Sequence, residues 1–153
     1  MVNLQSCGAA YQASLSSGLT VSVASKSCAL GYFTFGHELA HNFGCGHDLK
    51  TYTNSLYPYG HGHHIQGGYR TILAYNSPGY KTRVNYYSNP SVTFPSTSTT
   101  TGISGIADNA AVLRLNRFVM ADIGDESIKC RDYVTIESET EVSYRCHCPK
   151  RMF

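Results

Sequence analysis

The chain has 153 residues, of which 42% are hydrophobic and 14% are charged, and its net charge is +2. This apolar content is sufficient for one folded domain and argues against a disordered chain. The charge is too small and too dispersed to indicate nucleic-acid or membrane-surface binding, and no apolar run reaches the ~18 residues of a membrane span.

Six cysteines in a chain of this length indicate an oxidising, extracellular environment. The N-terminus shows no signal peptide, so we expect this sequence to be an N-terminally truncated part of a longer secreted protein.

The first predicted elements are two short strands, over residues 7–13 and 19–25, which a Ser/Gly turn separates. The second of them alternates apolar with small or polar residues, as a half-buried strand does. Cys7 and Cys28 flank the pair and are a candidate disulfide, although six cysteines leave 15 full pairings open.

A helix is predicted next, over residues 34–42. Phe35, Leu39 and Phe43 recur at helical spacing and are expected to face the core, and Gly44 is expected to end the helix.

The remaining chain contains one long loop, one helix and a tail. Residues 45–106 are rich in Gly, Tyr, Ser and Asn and predict an ordered loop. A second helix is predicted over 107–122, started by Ala107-Asp108 and stopped by Gly124. Its expected apolar stripe consists of Ala111, Leu113, Leu115, Phe118, Val119 and Ile123. A change in composition then predicts a boundary near residue 126, which separates a main domain (1–126) from a cysteine-containing tail (127–153).

The segment His37–Asp48, HELAHNFGCGHD, carries the most specific pattern in the chain. His37 and His41 are four residues apart, so on a helix both imidazoles project from one face and can reach one metal ion. Gly44 permits a sharp turn that brings His47 back as a third ligand. Three neutral nitrogen ligands leave one position open, which is typical of a catalytic zinc site. We therefore predict one catalytic Zn²⁺ ion held by His37, His41 and His47.

Glu38 is expected to be the catalytic base of this site. It follows His37 directly, rotated by about 100° around the helix, so it can lie over the open position without binding the metal. The metal activates a water and polarises a substrate carbonyl, while Glu38 accepts the proton of the water and passes it to the leaving amine. The predicted reaction is peptide-bond hydrolysis without a covalent enzyme intermediate.

The spacing HExxHxxGxxH, followed by Asp48, resembles the zinc signature of the metzincin metallopeptidases, in particular their reprolysin or ADAM-like branch. The segments YGHGHHIQGGYRTILAY, PGYKTRVNYYSNP and ADNAAVLRLNRFVMADIG are similar to a narrower group, the peptidyl-Asp metallopeptidases. The resemblance covers about residues 7–125. It implies an α+β fold in which the active-site helix lies under a mixed sheet, with the N-terminal part of that sheet missing here, and a C-terminal helix.

The same resemblance implies roles for two further segments. Residues 7–13 resemble the edge strand that pairs with an extended substrate. TILAY (71–75) resembles the Met-turn beneath the zinc, with Leu73 at the methionine position. Because Leu and Met have similar volumes, we expect altered packing but retained zinc binding. Tyr75 is interpreted as a packed tyrosine in preference to a catalytic one.

Other polar residues have a structural and a functional interpretation. The histidines of GHGHH (60–64) could form a second metal site, but a Gly-rich His loop more often binds metal opportunistically. Arg70 and Arg83 could select acidic substrate side chains or simply be solvated. Asp48 is expected to hold the loop of His47 by local hydrogen bonds, and Cys45 to be a buried thiol or disulfide partner. The tail residues Cys130, Cys146, His147 and Cys148 are poorly spaced for a zinc knuckle and are similar to part of a small disulfide module.

The sequence thus predicts a secreted, monomeric, zinc-dependent metalloendopeptidase that acts on protein or peptide substrates, without nucleic-acid or membrane partners. The alternative is a catalytically inactive zinc-binding or interaction remnant of such a peptidase, favoured by the missing part of the sheet and by Leu73. A structural domain held by disulfides is a third possibility, but it leaves Glu38 unexplained.

Overall fold

A computed structural model of the chain describes residues 7–12, 20–76, 79 and 81–122, together with the backbone of 133–138 and 141–145. It forms two compact units, Met1–Phe118 and Val119–Phe153. The helices are α1 (Lys26–Ala29), α2 (Thr34–Asn42) and α3 (Asn109–Asp122). The strands are β1 (Gly8–Ala10), β2 (Ser22–Ala24), β3 (His64–Ile65), β4 (Tyr69–Arg70), β5 (Thr82–Arg83), β6 (Thr93–Phe94), β7 (Thr99–Thr100), β8 (Tyr133–Ser138) and β9 (Glu141–Arg145). Within the described residues, no helix is both long and apolar enough to cross a bilayer.

Strands β1 and β2 lie within the two predicted strand segments and form a two-stranded antiparallel sheet, with Ala9 opposite Val23. A disulfide between Cys7 and Cys28 closes this unit, so the candidate pairing is confirmed. Helix α2 packs against both strands. The side chain of Asn42, the last residue of α2, donates to a backbone carbonyl at each strand, which fixes the helix beneath the sheet.

Helix α2 has the bounds that the sequence predicts, and a glycine ends it. Gly44 has φ = 97°, a left-handed conformation that glycine adopts at little cost. The Gly44 amide donates to the carbonyl of His41 at 2.8 Å, and the Cys45 amide donates to that of Ala40 at 3.0 Å. This pair of bonds is a Schellman motif, and it turns the chain back along the helix.

The face that α2 buries differs from the predicted one. Phe35 is 60% exposed and Leu39 is also exposed, so the prediction that they face the core is wrong. The buried residues of α2 are Thr34, His37, Glu38, Ala40, His41 and Asn42. The inward face is mostly polar because its side chains have hydrogen-bond partners on neighbouring segments, which offsets their desolvation.

The described residues of 45–106 form an ordered, loop-rich segment, as predicted, with short strands within it. Strand β4 pairs antiparallel with β3 and parallel with β5, giving a small mixed sheet, and β6 pairs antiparallel with β7. The turn at residues 71–74 contributes to the buried core. That core consists of Ala40, Cys45, Ile72, Leu73 and Val112.

Helix α3 starts where Asp108 caps it, through a hydrogen bond from the Ala111 amide to Asp108 Oδ1 at 2.9 Å. The predicted apolar stripe is wrong for Leu115, Phe118 and Val119, which are all exposed, Phe118 by 65%. The buried positions are Asn109, Val112 and Asn116. Asn116 lies inside because its Nδ2 donates to the carbonyl of Phe43 at 2.7 Å, whereas the buried side chain of Asn109 has no hydrogen-bond partner among the described residues.

The α+β class is confirmed, with β1, β2 and α2 forming a layer next to the loop-rich segment. The wider metzincin arrangement implied by the resemblance stays a prediction, as do the domain bounds 1–126 and 127–153. The predictions for Ile123, Gly124, Cys130 and the Cys146–Cys148 run lie outside the described residues.

Candidate metal centre

The three predicted metal ligands converge on one point. The Nε2 atoms of His37 and His41 are 3.2 Å apart, those of His37 and His47 are 3.1 Å apart, and those of His41 and His47 are 2.9 Å apart. Nitrogen ligands at 2.0–2.1 Å from one tetrahedral ion would be separated by about 3.3 Å. Among the described residues, these three histidines are the group of potential ligands close enough to share an ion.

Hydrogen bonds on the far side of two rings determine which nitrogen faces this point. His37 Nδ1 lies 2.9 Å from the carbonyl of Ile72, and His41 Nδ1 lies 2.8 Å from that of Cys45. A carbonyl oxygen only accepts, so each Nδ1 carries the proton and each Nε2 presents a lone pair. Two lone pairs that face each other at 3.2 Å repel unless a cation lies between them. The donor set therefore fits a zinc ion.

A buried network positions the third histidine. His61 Nδ1 donates to the backbone carbonyl of His47 at 2.8 Å, and Ser88 Oγ donates to the carbonyl of His61 at 2.6 Å. Ser88 Oγ in turn accepts from the Asn109 amide at 2.8 Å, at the start of α3. His61, Ser88 and Asn109 are almost fully buried, so this relay fixes the loop of His47 to the rest of the unit.

The protonation of the histidines suits metal binding. Burial lowers the pKa of His37 to about 3 and that of His47 to about 4, and it also lowers the pKa of His41. All three rings are therefore neutral at physiological pH, which is the form that binds a metal ion.

Glu38 lies at the same end of α2 as His37 and is only 7% exposed. Burial raises the pKa of Glu38, and the positive charge of Arg83 opposes that shift. Strand β1 approaches this carboxylate closely: a Cβ atom at Gly8 would lie 2.7 Å from Glu38 Oε1. The side chain is thus confined between the helix and the strand, beside the histidines.

The TILAY turn lies against the histidines, as the resemblance implies. The Ile72 carbonyl accepts from His37, Leu73 is fully buried in the core, and the ring of Tyr75 lies 4.2 Å from that of His47, centroid to centroid. Burial first, and then the nearby charge of Glu38, raise the pKa of Tyr75.

Asp48 has the structural role predicted for it. Its carboxylate accepts from the Thr51 hydroxyl at 2.5 Å, the Tyr75 amide at 2.9 Å and the Lys50 amide at 3.2 Å. Although burial by itself raises the pKa of Asp48, the bonds from Thr51 and Tyr75 outweigh it and hold that pKa below its usual value. The carboxylate therefore joins the loop of His47 to the TILAY turn.

The remaining candidates are not part of the histidine cluster. His61 bonds to a backbone carbonyl and His64 Nε2 lies 2.8 Å from the Tyr75 carbonyl, so the GHGHH histidines do not converge. Cys45 is a free, buried thiol whose Sγ donates to the Asn109 carbonyl, and burial raises its pKa, so it is not a thiolate ligand.

A groove runs from β1 to the histidines. It is lined by Ala10, Gln12, His41, Gly46, His47 and Tyr52. Gln12 and Tyr52 are joined across it by a hydrogen bond from the Tyr52 hydroxyl to Gln12 Oε1 at 3.2 Å.

Sequence reasoning missed the supporting residues of the site: Gly8, His61 and Ser88. For the segment around His61, the sequence does contain one indication of a structural role. A Cβ atom at Gly62 would lie 2.6 Å from the Ala74 amide, so glycine between the histidines of GHGHH marks a close approach to the TILAY turn. Ser88 carries no comparable signal.

Comparisons with known proteins agree on a class of enzyme. The sequence profile of Metallo-peptidase family M12 matches residues 1–88. The chain is 39% identical over 87 residues to a peptidyl-Asp metalloendopeptidase of Xanthomonas campestris pv. campestris, covering 56% of this chain and 20% of that protein. It is 40% identical over 91 residues to one of Stenotrophomonas maltophilia strain K279a, covering 56% of this chain and 21% of that protein.

A third relative, from Pseudomonas fragi, has the same name and is 41% identical over 70 residues, covering 44% of this chain and 48% of that protein. The chain spans about a fifth of the length of the first two relatives. No solved structure matches.

Proposed function

The chain belongs to metallo-peptidase family M12, and on that basis we propose that it is a zinc-dependent metalloendopeptidase with Glu38 as its catalytic base. One observation carries the proposal: three neutral imidazoles present Nε2 atoms 2.9–3.2 Å apart, beside a buried carboxylate. A structural role alone would not require the Nε2 lone pairs of His37 and His41 to face each other.

In this proposal His37, His41 and His47 hold the zinc ion. When bound, zinc supplies Lewis acidity, which makes a water nucleophilic near neutral pH and polarises the substrate carbonyl. The carbonyls of Ile72 and Cys45 keep the His37 and His41 rings in the tautomer that presents Nε2.

Glu38 moves the proton in this mechanism. Burial favours its protonated form, while Arg83 favours the ionised form, so the carboxylate can both accept and release a proton. It first accepts the proton of the attacking water and then passes it to the nitrogen of the leaving amine. The confinement of its side chain by Gly8 limits the conformations it can adopt, which lowers the entropic cost of reaction.

The substrate is proposed to lie in the groove along β1. Strand β1 pairs with β2, and residues 7–13 resemble the edge strand along which an extended peptide adds through backbone hydrogen bonds. Such a peptide would cross the groove that His41 and His47 line. The name of the relatives, peptidyl-Asp metalloendopeptidase, supports a preference for bonds at aspartyl residues. The Cys7–Cys28 disulfide supports an extracellular location.

The test compares the whole chain with a Glu38→Gln variant, each loaded with one equivalent of zinc after chelator treatment. Zinc content is measured on the desalted proteins, and cleavage is measured on an unfolded protein substrate. We expect equal zinc content in the two proteins and cleavage by the parent chain. The cleavage rate of the variant should be at least about 100-fold lower, since general acid–base catalysis contributes about 10²–10⁴-fold.

Two results would count against the proposal. Zinc bound by both proteins without cleavage by either would favour the alternative, an inactive zinc-binding remnant. Equal cleavage by both proteins would remove Glu38 from the mechanism. A His41→Gln variant serves as the control for the metal site and is expected to lose zinc.

A further inference from the structure

We propose that Arg83 is the residue that binds the carboxylate of an aspartyl side chain next to the scissile bond. This inference rests on the proposed function and identifies the specificity-determining residue within it. Three features of Arg83 carry it: its position near the helix of the proposed base, the lack of an ion-pairing carboxylate among the described residues, and the different hydrogen bonds of the neighbouring Arg70.

Arg83 ends strand β5 and lies near the start of helix α2, because its Nη1 donates to the backbone carbonyl of Tyr32, two residues before that helix. Helix α2 carries the proposed base Glu38 and two of the proposed ligands. The positive charge of Arg83 opposes the rise in the pKa of Glu38 that burial causes. A substrate bound over the histidines would therefore lie close to this arginine.

The guanidinium group is partly buried but incompletely paired. Nη1 donates to the backbone carbonyl of Tyr32 at 2.7 Å, whereas Nε is buried and has no hydrogen-bond partner. No carboxylate of the described residues forms an ion pair with it. Burial, followed by the charge of Arg70, lowers the pKa of Arg83 to about 10, so it stays protonated at neutral pH.

A partly buried cation without a directly bonded anion is unfavourable, and an incoming carboxylate would relieve that cost. The planar guanidinium group also presents parallel N–H donors that match the two oxygens of a carboxylate. The neighbouring carboxylates cannot fill this role, because Asp48 is bonded to Thr51 and Tyr75. Glu38, in the proposed function, is the base.

Arg70, opposite Arg83 in the parallel β4–β5 pair, has a different use. Its Nε donates to the Lys81 carbonyl at 3.0 Å and its Nη1 donates to the Ala74 carbonyl at 2.5 Å. These bonds brace the TILAY turn. Arg70 is therefore assigned to the support of the site and Arg83 to the substrate.

The test uses two peptides that differ only by Asp or Asn at the residue next to the scissile bond. The selectivity, the ratio of kcat/KM for the Asp peptide to that for the Asn peptide, is measured for the zinc-loaded chain and for Arg83→Gln and Arg83→Lys. We expect Arg83→Gln to lower this ratio by about 10- to 100-fold, which corresponds to the loss of one charged hydrogen-bonded pair. Arg83→Lys keeps the positive charge but lacks the parallel N–H donors of the guanidinium group, and it is expected to lower the ratio less.

Arg114→Gln, which removes the same charge from an exposed position on α3, is the matched control and is expected to leave the ratio unchanged. A second measurement is independent of turnover. Binding of both peptides to the zinc-loaded Glu38→Gln protein is measured by calorimetry, with and without the additional Arg83→Gln change, and only the Asp peptide should lose affinity.

The outcomes separate this inference from the proposed function. If Arg83→Gln lowers kcat/KM equally for both peptides, Arg83 acts through Glu38 and the inference is wrong. If the parent chain cleaves neither peptide, the proposed function fails, and the calorimetric difference between the peptides decides the role of Arg83. If Arg83→Gln does not fold, an unchanged ratio in Arg83→Lys overturns the inference and a lowered ratio supports it.

Discussion

Replacing Leu73 tests whether the hydrophobic support of the histidines depends on side-chain volume or on the identity of the residue. Leu73 has no exposed surface and packs in the core with Ala40, Cys45, Ile72 and Val112. Alanine removes three carbon atoms, which at about 0.8 kcal/mol per buried methylene gives a transfer cost of about 2.4 kcal/mol. The remaining cavity adds to this cost, within the range of about 2–5 kcal/mol for such changes. Leu73→Met nearly conserves volume and should cost less than about 1.5 kcal/mol.

The same two variants should differ in zinc affinity. The carbonyl that orients the His37 ring belongs to Ile72, directly before Leu73. A loosened turn in Leu73→Ala weakens that bond, and loss of such supporting contacts typically reduces metal affinity by 10- to 100-fold. Leu73→Met should keep the affinity of the parent chain.

Stability is measured by urea unfolding of the chelator-treated proteins, and zinc affinity by competition with a chromophoric chelator. Leu115→Ala on the exposed face of α3 is the control for the same chemical change and should alter the free energy of unfolding by at most about 0.5 kcal/mol. The reasoning is refuted if Leu73→Met produces cleavage in a chain that otherwise has none, because methionine itself would then be required. It is also refuted if Leu73→Ala behaves like Leu115→Ala.

Three further predictions concern the surroundings of the site. Gly8→Ala places a Cβ atom 2.7 Å from Glu38 Oε1 and should lower the cleavage rate by about 100-fold without loss of zinc. The control Gly31→Ala, whose added Cβ has no neighbour nearer than 4.0 Å, should have no effect. Ser88→Ala breaks the buried relay behind the third histidine and should lower the free energy of unfolding by about 2 kcal/mol in urea titrations. The pKa of His37 is about 3 in the folded protein and 6.5 in the unfolded chain. As the pH falls from 7 to 5, only the unfolded chain binds a proton at His37, so the free energy of unfolding of the metal-free protein should fall by about 2 kcal/mol through this residue. A flat stability profile over that range would contradict the predicted burial of a neutral ring.

The sequence predicted local features more successfully than it predicted buried faces. The bounds of α2 are correct because a Gly44 in the left-handed conformation ends the helix locally. Its buried face was predicted wrongly because apolar periodicity assigns Phe35 and Leu39 to the core. The inward face instead carries polar residues such as His37 and Asn42, which form hydrogen bonds to other segments that periodicity does not report.

Long-range hydrogen bonds account for the parts of the site that the sequence did not predict. Ser88 and His61 are 27 residues apart, and Asn109 is 21 residues beyond Ser88, so their meeting depends on the path of the intervening loop. Asn116 on α3 is buried for the same reason, since the backbone carbonyl of Phe43 lies against that face. A polar residue at a buried helical position has no signature in a pattern based on hydrophobicity.

The twelve residues HELAHNFGCGHD contain the proposed zinc ligands, but other segments of the unit orient them. The His37 ring is held by a carbonyl of the TILAY turn and the His41 ring by a carbonyl just past the helix end, while the backbone of His47 is held by the ring of His61. The rings of His37 and His41 are therefore oriented before any ion binds, with their Nε2 lone pairs facing each other. A bound zinc ion would relieve that repulsion without a change of tautomer in these two rings. The affinity of this site should therefore depend on the TILAY and GHGHH segments as well as on the motif itself.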